Sequence, residues 1–350
     1  MGPRRNFKTI PELFRILVDE YGKDPAKAML SYKVDKEYVN ITYQQFKQDV
    51  ELTAHGLLSL GISAGDKVIL LAENRPEWMA FDFAILGIGA VDVPLYPSLT
   101  PADIKFIINN SESKTVVVSN KLLLSKFLRV KDECPGVESI IVMNEKDADD
   151  SVSGLYSLNR LKQIGEEHRK FNPGMFAGLN EKVKEYDICT IIYTSGTTGE
   201  PKGVLLTHHN IVSNVLAALE SIHVTNNEVF LSFLPLCHIF ERMAGFYLAL
   251  ASGSHVAFAV SIETVPQNMV DVRPTLMTAV PRLFERFHAR VIKTVESGPE
   301  KKQKIFHWGV EIGKQYAAAK KKGKVPIALA AKFKVADTLV LKKIRERTGG

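Results

Sequence analysis

Short apolar runs alternate with amphipathic helical patterns along most of this 350-residue chain. Runs with the length and β-branched content of buried strands occur at residues 67–72, 90–95, 115–118 and 139–142. Helical patterns lie between them: Asn74-Arg75-Pro76 begins one, and Thr100-Pro101 has the form of a helix cap followed by a first-turn proline. Before the first of these strands, Thr42 and Gln45 form a capping box that opens a helix with an apolar stripe at Phe46, Val50, Ala54 and Leu57. Repeated strand–helix–strand units imply parallel sheets with helices on both faces. The alternation therefore predicts an α/β fold class, with two packed lobes of mainly parallel sheet.

Residues 144–186 interrupt this pattern because they are polar and charged, and we expect an irregular or partly helical segment there. The alternation then resumes. Further strands are predicted at residues 188–193, 229–234, 255–259 and 275–280, with helices from Thr207 and across 241–250.

Composition is typical of a large soluble catalytic region. Hydrophobic residues make up 45% of the chain, yet no run of 18 apolar residues suggests a membrane span. The basic N-terminus is not followed by the apolar segment of a signal peptide. Cys134, Cys189 and Cys237 are scattered and lack metal-ligand spacing, which favours a reducing compartment. These features predict a cytoplasmic protein.

A run of small residues between two apolar strands is the most informative motif for function. Two glycines allow a sharp turn and close approach of the backbone to a ligand, so that successive N–H groups converge on an anion. Hydroxyls add donors, and a nearby lysine adds a mobile positive charge. The sequence thus predicts a polyphosphate-binding loop made of Thr194, Ser195, Gly196, Thr197, Thr198, Gly199 and Lys202.

Spacing separates this loop from two other phosphate loops. A P-loop requires a glycine where Pro201 stands, and here Gly203 follows the lysine instead of preceding it. The dinucleotide motif fails because Gly196 and Gly199 are wrongly spaced and no helix follows directly. A flexible surface linker is the remaining alternative, but linkers seldom lie between two apolar β-runs.

The segment from Tyr193 to Gly203 resembles the signature loop of the AMP-forming adenylate-forming enzymes. The resemblance implies that the loop holds the β- and γ-phosphates of ATP while a carboxylate attacks the α-phosphorus. Coenzyme A then displaces AMP to give a thioester. It further implies that Thr194 is a ligand of Mg²⁺, and that Lys202 contributes charge at the pyrophosphate end without being the family's catalytic lysine.

The stretch Leu234-Pro235-Leu236-Cys237-His238-Ile239-Phe240-Glu241-Arg242 resembles the long-chain fatty acyl-CoA synthetases in particular. In that family His238 would lie near the reacting carboxylate or α-phosphate, which makes it the candidate catalytic residue. Glu241 and Arg242 are expected to form an ion pair or to begin a helix. The segment 279–286 resembles an element near the acyl tunnel, with Phe284 and Phe287 expected to pack inward.

The resemblance also implies a domain layout. Lobes of residues 73–207 and of 8–72 plus 208–350 are expected, and the family's layout continues beyond residue 350. The chain is therefore expected to be a truncated N-terminal AMP-binding domain without the small C-terminal domain, and inactive by itself. An adenylation domain for an amino or aryl acid is the alternative within the same class. A non-catalytic nucleotide- or lipid-binding module is the alternative outside it.

Positive charge is concentrated at one end of the chain. Residues 301–350 contain fourteen Lys/Arg and three Asp/Glu, whereas the first 300 residues are net acidic. The segment 301–347 could attract an anionic membrane or coenzyme A. Alternatively it is a solvated helix that buries a stripe of Ile305, Trp308, Ile312 and Tyr316. No nucleic-acid motif is present, and the expected partners are fatty acid, ATP and coenzyme A.

Overall fold

The structure is a computed structural model that describes residues 5–194 and 199–349. Its strands are β1 (Ala28–Val34), β2 (Glu37–Thr42), β3 (Lys67–Leu71), β4 (Val91–Leu95), β5 (Thr115–Val118), β6 (Ser139–Val142), β7 (Leu155–Ser157), β8 (Ile188–Thr194), β9 (Lys202–Thr207), β10 (Val229–Ser232) and β11 (His255–Phe258). Its α-helices are α1 (Ile10–Tyr21), α2 (Tyr43–Ser59), α3 (Pro76–Gly87), α4 (Pro101–Ser111), α5 (Lys121–Leu128), α6 (Leu158–Phe171), α7 (Met175–Asn180), α8 (His208–Ser221), α9 (Leu248–Ser252), α10 (Val265–Val272), α11 (Pro281–Glu296), α12 (Glu300–Lys321), α13 (Ile327–Ala336) and α14 (Lys342–Glu346). Short 3₁₀ turns occur at Lys131–Glu133 and Glu145–Asp147, and π-helical turns at Glu241–Tyr247 and Asp337–Leu341.

A seven-stranded sheet has the order β7-β6-β5-β3-β4-β8-β9. Every neighbouring pair is parallel except β8 and β9, which form an antiparallel hairpin. Helices cover the sheet, so its central strands are largely buried and mostly apolar, with Asp92 of β4 as an exception. One core packs Ile69, Val93, Val116 and Ile140 of the strands against α4 and α5.

A four-stranded sheet has the order β10-β11-β1-β2. β10, β11 and β1 are parallel, and β2 turns back antiparallel to β1. The predicted fold class, two mainly parallel sheets flanked by helices, is confirmed. Strand β3 pairs in the seven-stranded sheet, so it lies on the other side of the predicted lobe boundary at residue 73. The lobe bounds otherwise stay a prediction.

Helix caps read from the sequence are present in the structure. Thr42 and Gln45 form a reciprocal capping box at α2, and Thr100 and Asp103 form one at α4, where Pro101 occupies the first turn. The predicted stripe of α2 is buried along its whole length, at Phe46, Val50, Ala54 and Leu57. A helix cap joins residues within one turn, so the sequence predicts it without knowledge of tertiary contacts.

Residues 144–186 are partly helical, one of the two forms expected, and contain β7, the fourteen-residue helix α6 and the helix α7. Helix α6 approaches α2 closely at a glycine: a Cβ at Gly165 would lie 2.0 Å from the Leu52 carbonyl oxygen. The strand predicted at 275–280 is wrong; only Leu276 forms an isolated bridge, and the segment is half-buried or exposed. An apolar run without a neighbouring strand to pair with does not form a ladder.

The chain divides into two compact units, residues 1–259 and residues 260–350. The first contains both sheets. In the second, α12 and the run from α13 through the following π-turn form an antiparallel helical hairpin, in which Tyr316 stacks on Phe333 at 3.8 Å and Gly309 lies against Val340. Over residues 5–194 and 199–349, no helix combines the length and the apolar character needed to cross a bilayer.

The apolar positions of the second unit are only partly buried. Ile312 and Tyr316 contribute to the helical hairpin, as the predicted stripe requires, but Ile305 and Trp308 remain 44% and 39% exposed. The inward packing expected for Phe284 is wrong, because this ring is 59% exposed. Its neighbour Leu283 is the buried residue of α11, so the helix presents a different side to the core than the motif suggested.

Candidate active site

The predicted phosphate loop connects the two strands of the β8–β9 hairpin. Thr194, at the end of β8, pairs with Lys202, at the start of β9. The predicted loop residues Ser195, Gly196, Thr197 and Thr198 lie outside the described residues. The expected strand–loop–strand arrangement is thus present at its ends, while the binding roles of the seven residues stay a prediction.

The described ends of the loop have properties that suit an anion. Thr194 and Lys202 are exposed, and Lys202 forms no ion pair with the described part of the chain. Gly199 has a φ of +100°, and a Cβ built on it would meet no atom within 4 Å. The backbone at Gly199 adopts a conformation that favours glycine, and there is free space beside it. The ammonium group of Lys202 supplies positive charge at the other end of the loop. These residues fit a polyphosphate chain.

A single glycine also shapes the hairpin next to the loop. A Cβ at Gly203 would lie 2.9 Å from Cγ2 of Ile191 and 3.1 Å from the ring of Tyr193. The Tyr193 hydroxyl in turn donates a 2.6 Å hydrogen bond to Asn110 Oδ1. Close contact across the hairpin therefore requires glycine at position 203.

The carboxyl ends of β3, β4 and β8 share one edge of the seven-stranded sheet because these strands are parallel. Asn74, in the loop after β3, reaches from this edge to the turn that follows β10 of the other sheet. Its Nδ2 donates to the Leu234 carbonyl at 2.7 Å, and its Oδ1 accepts the Leu236 N–H at 2.9 Å. The turn that carries His238 is thereby attached to the edge at which the phosphate loop begins.

A second contact supports this placement. Tyr96, in the loop after β4, lies near Cys237, and burial together with the Cys237 thiol raises the pKa of Tyr96 to about 12. The sequence analysis used Asn74 only as part of a helix start and did not assign it to the site. Its signal was a polar residue directly after a buried strand, a position where ligands of α/β sheets gather.

His238 is exposed at the beginning of the helical segment after this turn. The ring Nδ1 accepts the backbone N–H of Phe240 at 3.1 Å, and the backbone N–H of His238 donates to the Pro235 carbonyl at 3.0 Å. A neutral imidazole that accepts at Nδ1 carries its proton on Nε2. The ring thus presents an N–H donor outward, which can bind an oxyanion.

Glu241 and Arg242, which were expected to form an ion pair or to begin a helix, begin the π-turn. Arg242 forms a fully buried cluster with two aspartates. Its guanidinium contacts Asp82 and lies 2.9 Å from Asp92 Oδ2. It donates to Thr190 Oγ1 and to the Tyr247 hydroxyl, both at 3.0 Å. Asp92 and Thr190 are cross-strand neighbours in β4 and β8. Arg242 therefore joins the π-turn after His238 to the strand that leads into the phosphate loop.

The charges of this cluster do not balance when both aspartates are ionised. Burial raises the pKa of Asp92 to about 8, and repulsion from Asp82 adds to the rise while Arg242 opposes it. Burial likewise raises the pKa of Asp82. Burial therefore favours the neutral form of both carboxyl groups, whereas the guanidinium favours their charged form.

Glu241 is also buried, on the other side of the same π-turn. Neither carboxyl oxygen has a hydrogen bond of ordinary geometry within the described residues. Burial raises the pKa of Glu241 to about 8, so the group is neutral at pH 7. A Cβ at Gly245 would lie 2.5 Å from its carboxyl carbon, so only glycine leaves room for this side chain. Single π-turns of this type often occur at functional sites.

No group of three or more His, Cys, Asp and Glu suited to a metal occurs among the residues the structure describes. Mg²⁺ commonly keeps several waters and substrate phosphates as ligands, so one hydroxyl such as that of Thr194 fits its needs. The adjacent His208 and His209 have structural partners. Nδ1 of His208 accepts the Ile10 N–H at 3.3 Å, burial lowers the pKa of His208 to about 4, and His209 stacks on Tyr186.

Comparison with known proteins identifies the family. The family model described as "AMP-binding enzyme" matches residues 19–333. This chain belongs to the AMP-binding enzyme family. The resemblance to adenylate-forming enzymes is thereby confirmed at the level of the family.

Several curated relatives of this AMP-binding enzyme are named as long-chain ligases. The chain is 28% identical over 348 residues to a long-chain-fatty-acid–CoA ligase of Xenopus laevis, covering 97% of this chain and 46% of the relative. It is 32% identical over 325 residues to the peroxisomal long chain acyl-CoA synthetase 7 of Arabidopsis thaliana, covering 90% and 43%. The chain thus spans about half the length of the curated relatives it matches.

Solved structures show the same fold. A long-chain-fatty-acid-CoA ligase from Archaeoglobus fulgidus superposes with a TM-score of 0.64 at 20% identity, over 85% of this chain and 55% of that one. The N-terminal domain of FACL13 from Mycobacterium tuberculosis gives 0.64 at 23% identity, over 80% and 64%. At such identities the likeness establishes the fold of this AMP-binding enzyme and nothing finer.

Proposed function

We propose that this AMP-binding enzyme activates a long-chain fatty acid with ATP, forming an acyl-adenylate and then a coenzyme A thioester. The names of its curated relatives support the substrate class. The observation that carries the proposal is the attachment of the His238 turn, through Asn74, to the sheet edge at which the phosphate loop begins. An acid bound between them would meet both the nucleotide and an imidazole donor.

Each part of the site would have a distinct task. Residues 194–199 and Lys202 would hold the β- and γ-phosphates and stabilise the leaving pyrophosphate. The Nε2–H of His238 would donate to an oxygen of the carboxylate or of the α-phosphate as negative charge develops there. Bound Mg²⁺ would neutralise phosphate charge, and the Thr194 hydroxyl would be one of its ligands.

The proposal is tested first by ATP binding to the 350-residue chain and then by carboxylate-dependent ATP–pyrophosphate exchange. We expect the chain to bind ATP. Since it spans about half the length of its relatives, we expect little or no exchange from the chain alone. A protein that contains this region at the relatives' full length should show exchange that rises with acyl chain length. Absence of ATP binding would overturn the proposal.

The same assays separate the alternatives. Exchange with amino or aryl acids, and not with fatty acids, would indicate an adenylation domain of another specificity. ATP binding without exchange by any acid at full length would indicate a non-catalytic nucleotide-binding module. We also propose a cytoplasmic location, which the three free cysteines support; cell fractionation would test it.

A further inference from the structure

The outer face of α13 and of the π-turn that follows it (Asp337–Leu341) carries an apolar stripe that is not part of the protein core; we call this surface the outer face of α13. Ile327, Ala331, Val335 and Leu339 follow one another at four-residue spacing and are exposed, Ile327 by 89% and Val335 by 52%. Residues of the opposite face, Ala336 and Val340, are buried in the helical hairpin with α12. The stripe therefore has no role in holding this hairpin together.

Lysines border the stripe. Lys334 lines a shallow depression together with Ala331, Val335, Thr338 and Leu339. Lys332 lies on the other border, and both lysines are exposed. Neither ammonium group forms an ion pair within residues 5–194 and 199–349. Long aliphatic stems at the edge of an apolar stripe allow the charged ends to reach a polar layer above it.

Acidic groups do not offset this charge. Residues 327–347 contain six Lys/Arg and two Asp/Glu. Both acids already contact a cation: Asp337 lies 2.7 Å from Arg345, and Glu346 lies 3.9 Å from Lys342. The end of α12 and the turn after it add Lys320, Lys321, Lys322 and Lys324. The segment that carries the stripe thus has an excess of positive charge.

We infer that the outer face of α13 binds the surface of an anionic lipid bilayer. A helix with an apolar stripe and basic borders lies in the plane of the interface, its apolar side chains among the acyl chains and its lysines near anionic headgroups. A second copy of this chain is a poorer occupant, since self-association would bring like charges together. The inference depends on this helix surface and not on the proposed reaction.

The surface lies within the segment 301–347 that the sequence suggested, but on one helix of that segment. In α12, Ile312 and Tyr316 of the predicted stripe are occupied within the hairpin. Their positions support the alternative of a buried stripe for α12. The membrane-binding surface is instead assigned to the neighbouring helix, whose apolar residues face outward.

Vesicle co-sedimentation tests the inference on the 350-residue chain. Binding to vesicles of phosphatidylcholine with phosphatidylglycerol is compared with binding to phosphatidylcholine alone. The chain should bind the mixed vesicles and only weakly the neutral ones. The substitutions Lys332→Gln and Lys334→Gln should each lower the partition coefficient for the mixed vesicles about fivefold. The pair Val335→Asn and Leu339→Asn should lower it by about tenfold or more.

Matched controls change the same chemistry elsewhere. Lys170→Gln with Lys182→Gln removes two exposed lysines, and Leu122→Asn removes an apolar side chain that is 68% exposed. These variants should bind as the unchanged chain does. Equal effects of control and α13 variants, or no binding to anionic vesicles, would overturn the inference. So would a dimer in solution that the Val335→Asn, Leu339→Asn pair dissociates, because a second copy would then cover the stripe.

Discussion

Asn74 joins two segments that are 160 residues apart in the chain. Its amide satisfies one backbone acceptor and one backbone donor of the turn before His238. Such a bidentate contact fixes both the position and the orientation of the turn, which a single bond could not do. The orientation of a candidate catalytic imidazole thus depends on a residue that need not touch any substrate.

Replacing Asn74 with alanine leaves the Leu234 carbonyl and the Leu236 N–H without this partner. We expect Asn74→Ala to lower the free energy of unfolding by about 1–3 kcal/mol, measured by urea denaturation. The NMR signals of the His238 ring should also shift. Asn109→Ala, which removes one exposed bond to the Glu133 carbonyl, is the control and should cost less. An unchanged His238 spectrum would contradict the positioning role.

Lys202 is an exposed cation at the end of the phosphate loop. Loss of a charge-assisted contact with phosphate should weaken ATP binding by the Lys202→Ala chain by about 10- to 100-fold, measured by calorimetry. In a protein of the relatives' full length, adenylation should slow by about one to three decades. Lys182→Ala removes another exposed lysine and should change neither quantity. Equal affinity of both variants would remove Lys202 from the site.

Among the secondary-structure elements, the π-turn at Glu241–Tyr247 makes buried polar contacts with three others. Arg242 connects it to α3 through Asp82, to β4 through Asp92 and to β8 through Thr190. A buried guanidinium that contacts several elements at once fixes their mutual register, since its removal would leave buried carboxyl groups without their partner. The strand that enters the phosphate loop is therefore held by the element that follows His238.

Two raised carboxyl pKa values give this element a pH dependence. Asp92 and Glu241 have pKa values of about 8 when folded, against about 4 in an unfolded chain. The folded state binds more protons between these values, so its stability falls as pH rises from about 4 to about 8. We expect the urea midpoint of the chain to decrease across the upper part of this window.

Variants identify the groups responsible for that decrease. Asp92→Asn and Glu241→Gln keep the shape of each side chain but cannot ionise, so each should make the stability less dependent on pH. Asp49→Asn changes a partly exposed carboxyl and should leave the dependence unchanged. The same slope in all three variants would contradict the assignment of protonated, buried carboxyls.

At the scale of the whole molecule, the candidate active site and the lipid-binding surface belong to different units. The β8–β9 hairpin, Asn74, His238 and the Arg242 cluster all lie within residues 1–259, and α13 lies within residues 260–350. Separate compact units can each keep their own contacts.

A chain limited to residues 1–259 should therefore bind ATP with an affinity within about twofold of the 350-residue chain, because it contains every residue assigned to the candidate site. It should lose binding to anionic vesicles. Calorimetry and co-sedimentation measure the two properties, and circular dichroism verifies the fold. A tenfold loss of ATP affinity in a folded 1–259 chain would show that the second unit contributes to the site.

Much of the fold was accessible from local pattern. Strands β5 and β6 coincide with the runs predicted at 115–118 and 139–142, because buried parallel strands are continuous apolar segments with clear ends. The caps at Thr42 and Thr100 were accessible because a capping contact joins residues only three positions apart. The strand expected at 275–280 and the buried Phe284 failed, since each depended on which neighbour would be present and not on the segment itself.

The sequence by itself determined the α/β class and the family, and it predicted a phosphate-binding role for the loop ending in Lys202, because these depend on residue types at short spacing. Tertiary structure alone decided that Arg242 pairs with Asp82 and Asp92 instead of Glu241, and that Asn74 holds the His238 turn. Those contacts join residues about 150 positions or more apart, and burial then sets their protonation. A local sequence pattern shows neither which distant residues come into contact nor how far each of them is buried from water.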